Sequence, residues 1–237
     1  METEKKQRRK KKELDEAIWT ALEKLIIERG FNEITLAGLA QEAGVEPPVI
    51  YNRFEGIDEL LEKYVRRYDY WLNDIISLEK ELTPKENFKK LLVDLINELY
   101  ANEIMQRILV WEMNDTHRIT RRMALTREVD SSDLLQYFNS GLETFDPINA
   151  LMISGIYYLI LHRKISTFSN INFNTPQGKE IMSETVGRII DKLYPETISP
   201  DEHKLKMDIA KKFKEKGVDK GIIKEATGLS IEEIDRL

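Results

Sequence analysis

Apolar residues recur every three or four positions along almost the whole chain, and the alternating pattern of a half-buried strand is scarce. A period near 3.6 stacks those residues along one side of a helix. The fold class that follows is all-α, with roughly a dozen helices. Only 11 Gly and 7 Pro occur in 237 residues, too few for a turn-rich β protein. The absence of cysteine excludes disulfides, thiolate metal sites and cysteine nucleophiles, and suits a reducing compartment. The longest strongly apolar run, 151–161, is too short to cross a bilayer. The first residues are charged with no apolar run behind them, unlike a secretory signal. A cytoplasmic protein with no membrane partner is the expectation.

Capping residues and breakers divide the pattern. Leu14, Ile18, Ala21, Leu22 and Leu25 share one face of a helix over 13–29, stopped by Gly30. Thr35 caps a short helix over 36–43, with Leu36, Leu39, Ala40 and Ala43 inward. Gly44 turns the chain, Val45 plugs the turn, and Pro47-Pro48 open a helix of about two turns to Phe54. After Gly56, a long helix is expected over 58–76. Further helices are expected over 84–102 and 103–114, over 119–145 in two pieces split near Asp130-Ser131-Ser132-Asp133, and over 147–165 and 176–194. Residues 166–175 read as a loop and 195–200 as a linker. The tail, 201–237, reads as three short helices separated by Gly217 and Gly228, with a capping box at Ser230 and Glu233.

Charge is distributed unevenly. Seven basic residues crowd the first twelve positions (Lys5, Lys6, Arg8, Arg9, Lys10, Lys11 and Lys12), whereas 13–68 holds six basic and twelve acidic residues. A dense basic arm of this kind binds nucleic acid or membrane, or serves as a solubilising tail. The stretch 31–61 is the most informative. Helix, glycine turn and helix make a helix-turn-helix corner. Ala40 and Ala43 permit a close crossing, and Ile50 and Phe54 face inward. Pro48, Val49, Asn52 and Arg53 are left outward. By spacing alone, any small helical bundle can use such a corner.

The wording of this stretch resembles the DNA-binding domain of TetR/AcrR-like transcriptional regulators. The resemblance rests on Gly30-Phe31, the Thr35 cap, Ala43-Gly44-Val45, the run Ile50-Tyr51-Asn52-Arg53-Phe54, and Asp58-Glu59-Leu60-Leu61. It covers roughly 14–66. The chain departs from the family pattern with Asn52 in place of an aromatic, Ile57 or Asp58 in place of a lysine, and Pro47-Pro48 at the helix start. The resemblance implies a ligand-responsive dimeric repressor that binds an operator in double-stranded DNA; with no glycine-rich phosphate loop, HExxH, GxSxG or cysteine in the sequence, an enzyme has little support, and no cofactor is expected. No metal site is expected. The short helix would enter the major groove, with Pro47, Pro48 and Val49 at its leading end. Asn52 and Arg53 would read base edges, Tyr51 and Thr35 would hold phosphate, and Lys10, Lys11 and Lys12 of the arm would add attraction along the backbone or in the minor groove.

The implied organisation is an arm over 1–12, a three-helix helix-turn-helix domain over 13–68, a helical-bundle ligand and dimerisation domain over 69–198, and a short helical tail over 199–237. The candidates to touch an unidentified small-molecule effector are Tyr100, Trp111, His117, Phe138, Tyr157 and Tyr158; ordinary core packing is the competing reading. The helix over 148–161 is apolar nearly all round. With 176–194 it suits a homodimer seam or the interior of a monomer, and Ala150, Ser154, Gly155 and Ile156 offer close contact. The tail contains what reads as a second, truncated helix-turn-helix corner, for packing or dimer bracing or as a second nucleic-acid contact. The alternative for the whole chain is a helical interaction module that has lost DNA binding.

Overall fold

The computed structural model describes residues 2–114, 117–139, 144–194 and 200–237, with side chains from Lys12 onward and, in the last stretch, from Lys204. Among them the chain is all-helical; strand pairing is confined to an isolated bridge between Phe168 and Ile171. Residues up to Leu193 form one compact unit, and residues from Tyr194 onward form a second. Of the expected linker, 195–200, residues 195–199 lie outside the described residues, and Pro200 already opens a helix.

The first unit opens with α1 (Glu2–Arg29), α2 (Leu36–Ala43), α3 (Pro47–Tyr51) and α4 (Ile57–Val65). Its helical bundle follows as α5 (Trp71–Ile75), α6 (Pro84–Ala101), α7 (Glu103–Asn114), α8 (Arg118–Asn139), α9 (Phe145–His162) and α10 (Pro176–Leu193). Thr83 and Glu86 close a capping box on α6, which explains its sharp start.

Three expectations change. The basic arm is not an arm distinct from the first helix: Glu2 onward is already helical. Lys, Arg, Gln and Glu are good helix formers, and no Gly or Pro precedes Gly30. The long helix over 58–76 is interrupted. A 3₁₀ turn, Arg66–Tyr68, separates α4 from α5. Arg122 Nη1 donates to both carboxylate oxygens of Asp69 at 2.9 Å, and Trp71 is buried just beyond, so tertiary contacts override the local pattern. Conversely, α8 runs through 130–133 without a split. Asp and Ser are poor helix formers, but neither removes a backbone donor as proline does.

The second unit packs α11 (Pro200–Glu215), α12 (Lys220–Thr227) and α13 (Ile231–Asp235) around Ala210, Ile223, Leu229 and Ile234. The Ser230–Glu233 capping box forms, and Gly217 and Gly228 take left-handed backbone at φ 74° and 71°.

Candidate nucleic-acid interface

The corner is built from α1 outward. Ile18, Leu22, Leu25 and Ile26 of α1 are buried, as are Leu39 and Ala40 of α2, Ile50 of α3 and Phe54 just past it. Leu36 and Ala43 are only half-buried. Thr35 Oγ1 accepts from the Gly38 N–H at 3.0 Å, satisfying one of the unpaired donors at the start of α2. Gly44 lies at φ 65°, ψ 33°, where a side chain would be strained, and the Val45 N–H closes the turn on the Ala40 carbonyl at 3.0 Å.

The helix α3 is shorter than expected, ending at Tyr51 with Asn52 as its cap. Two prolines leave few amide donors in its first turn, and Ile50 carries the helix inward. The Arg53 and Phe54 amides both return to the Ile50 carbonyl, so the chain tightens there. Pro47, Pro48, Tyr51 and Asn52 are exposed and Val49 is half-buried. Tyr51, with 54% of its surface exposed, is a large aromatic with no core to fill. Thr35 is also exposed.

Arg53 is placed differently. It is half-buried, and its Nε donates to Asp15 Oδ1 of α1 at 3.2 Å. Glu59 instead accepts the Glu55 amide at 2.6 Å and pairs with Lys63. The Lys63 contact, with that amide, holds the Glu59 carboxyl below its usual range. Lys12 is exposed and 3.7 Å from Glu16, one turn on. Lys10 and Lys11 lie on α1, but their side chains fall outside the described residues.

Two of the six effector candidates line one interhelical cavity. A cavity of about 990 Å³ lies among α6, α7, α8 and α9, and both Phe138 and Tyr157 line it. Trp111 does not. Its ring stacks on Phe31 with centroids 4.5 Å apart, covering the aromatic that follows Gly30. His117 flanks Trp111 at 5.5 Å and faces Asp58 of α4 at 3.5 Å. These two residues therefore couple the corner to α7 and α8. Arg107 joins them, donating to the Ile27 carbonyl of α1. The Tyr100 hydroxyl donates to the Phe173 carbonyl at 2.8 Å, under the Arg163 guanidinium, and so fastens α6 to the segment before α10. Tyr158 lies on the outer surface against His162. The sequence pattern missed Glu112 and Arg127, an ion pair on the cavity wall between α7 and α8. Their 15-residue separation spans a helix boundary and leaves no periodic signal.

The seam candidates divide between two faces of α9. Ala150 and Ser154 face the cavity. Ile156 is only 2% exposed in a single chain, so it belongs to the monomer core. Gly155 borders an apolar groove of about 420 Å³ between α9 and α10, together with Leu151, Leu159, Ile181 and Ile189. Leu151 is 74% exposed there.

A glycine-turned corner of three helices, carrying an exposed short helix and followed by a helical bundle, defines a helix-turn-helix protein. Residues 18–64 match the family described as bacterial regulatory proteins, tetR family. A curated relative from Haemophilus influenzae, described as an uncharacterized HTH-type transcriptional regulator, is 38% identical over 60 residues. That match spans 25% of this chain and 32% of the relative's length. The tetR-family match is thus confined to the N-terminal corner. The fold extends the likeness. A TetR-family transcriptional regulator from H. influenzae superposes with a TM-score of 0.50 at 20% identity, over 75% of this chain and 96% of that one. A TetR-family member from Streptomyces coelicolor superposes at 0.53 and 18% identity, over 76% and 91%. Among the described residues, no helix is long and apolar enough to cross a membrane.

Proposed function

We propose that the chain is a dimeric transcriptional repressor that binds an operator in double-stranded DNA in the cytoplasm and releases it when a small molecule enters the cavity among α6–α9. The observation that carries the DNA reading is the division of α3. Ile50 is fully buried, while Pro47, Pro48, Tyr51 and Asn52 present an outward surface without a carboxylate. Asn52 reads a base edge, Tyr51 and Thr35 hold phosphate, and the basic turns of α1 with Lys10, Lys11 and Lys12 supply long-range attraction. Arg53 is a positioning group in this reading, bracing α3 on α1 through Asp15.

Dimerisation is supported by the apolar groove of α9 and α10, whose exposed Leu151 and Ile189 lack cover in one chain. A two-fold pair of corners suits an operator of two half-sites. Switching is supported by adjacency: Glu112 lines the cavity, and the next residue back, Trp111, packs against Phe31 of the corner. A ligand that favours one setting of α7 shifts DNA affinity only by its differential affinity for the two settings.

Anisotropy titration against duplexes from upstream of the coding sequence, across salt, tests the DNA reading. Specific binding with a steep salt slope is expected, and Asn52→Ala should relax discrimination at one base pair per half-site by about 1–3 kcal/mol. Equal loss on matched and scrambled duplexes would remove Asn52 as a reader. Absence of sequence preference at every salt would leave an interaction module, a reading favoured by the engagement of Arg53 with Asp15.

A further inference from the structure

The polar end of the cavity has a composition that selects its occupant. Glu112 from α7, Arg127 from α8 and Tyr157 from α9 meet there. Arg127 Nη2 is paired with the Glu112 carboxylate, while Arg127 Nη1 is buried with no hydrogen-bond partner among the described residues. Burial pushes the Tyr157 hydroxyl above its ordinary value, against a smaller pull from Arg127 and alongside a push from Glu112. At neutral pH that hydroxyl keeps its proton and stands ready as a donor. The end wall thus offers two donors, and its carboxylate is already engaged.

Charge narrows the choice further. The Arg127 cation is compensated by Glu112, and the remaining charged lining groups, Glu128 and Asp146, are both acidic. An anion entering this cavity meets a net negative wall. A cation gains only exposed, solvent-screened carboxylates and leaves the buried N–H unsatisfied. The lining also carries Leu92, Leu95, Leu135 and Ile153, alongside uncharged polar groups such as Ser131, Gln136 and Asn149. A volume near 990 Å³ lies at the upper end of small-molecule sites.

We infer that the effector is an uncharged molecule with a long apolar body and a carbonyl or amide oxygen at one end, received by Arg127 and Tyr157. This rests on the reading of the cavity as the effector site. A neutral acceptor completes the hydrogen bonding of the guanidinium without competing for its ion pair, and the leucine wall takes the body.

Isothermal titration of the full chain, without DNA, with decanamide, decanoate and decylammonium separates the classes at equal chain length. Decanamide should bind at least tenfold more tightly than either ion. Tyr157→Phe and the paired change Glu112→Gln with Arg127→Met, which leaves no unpaired buried charge, should each weaken decanamide about tenfold. Circular dichroism and thermal unfolding should confirm that both variants are folded. Preference for decanoate or decylammonium overturns the inference, as does equal binding of all three that the variants leave unchanged, or binding of none. Decanamide that binds as expected but leaves DNA affinity untouched upholds the ligand class and overturns the effector reading.

Discussion

The molecule contains the same corner twice, and the copies differ where it matters. Both α2 and α12 have eight residues, and both end in a glycine with left-handed backbone, Gly44 and Gly228. Both α3 and α13 have five residues and begin three positions after that glycine. Leu39 and Ile223, five before the glycine, are buried; so are Ile50 and Ile234, six after it. The outward positions share nothing. Where α3 shows Pro48, Val49 and Tyr51, α13 carries Glu232, Glu233 and Asp235. Its groups are also spent internally: Glu233 closes the capping box, and Lys214 Nζ from α11 donates to the carbonyls of Ile234 and Asp235 at 2.9 and 3.1 Å. A handful of buried and glycine positions is enough to fold the corner. What it touches is decided by residues the fold does not need, and three carboxylates face a phosphate backbone unfavourably.

The comparison is most severely tested in the core. Ile50→Ala and Ile234→Ala each remove a fully buried side chain and should cost about 2–4 kcal/mol. Hydrogen exchange should show the Ile234 loss confined to α11–α13 and the Ile50 loss confined to the first unit. A single transition shifted by both variants would contradict separate corners. Next in size is a graft. Pro48→Glu, Val49→Glu and Tyr51→Asp together should lower DNA affinity about a hundredfold, or about 2.7 kcal/mol, with helix content unchanged by circular dichroism. Retained affinity would show that α3 is not the reading surface. Gly44→Ala and Gly228→Ala come third. A Cβ meets open space at both sites, so the cost is the backbone conformation alone, about 1–2 kcal/mol at each by denaturant unfolding. The smallest effect is expected from truncation before Pro200, which should leave the salt slope of DNA binding unaltered; a slope reduced by one unit or more would give the tail a phosphate contact.

Local signals were legible and distant ones were not. Thr35, Gly44 and the Ser230–Glu233 box mark helix ends through bonds spanning three or four residues, and the ends fall where those residues stand. The break after Val65 is decided by Arg122, 53 residues beyond the Asp69 it binds. The same holds for the site. Tyr51 and Asn52 are outward because Ile50 and Phe54, within three positions of them, are inward. Trp111 and His117 resemble cavity aromatics by composition, but Phe31 and Asp58 claim them from far up the chain. Which neighbour a helical side chain meets is a property of the assembled bundle, not of its own helix.

The unbroken course of α1 gives the basic segment a phase. A flexible tether delivers charge indifferently to its length, whereas each residue added to a helix advances it by about 1.5 Å and swings everything upstream by about 100°. One alanine inserted between Lys12 and Glu13 therefore carries the basic turns roughly a quarter of the way round the axis, two carry them past the opposite side, and four bring them back to within about 40° of their original bearing. DNA affinity plotted against the number of inserted alanines should rise and fall with the helical period. A tether would give a flat line, and the amplitude of the oscillation measures how much of the attraction depends on direction rather than on charge alone.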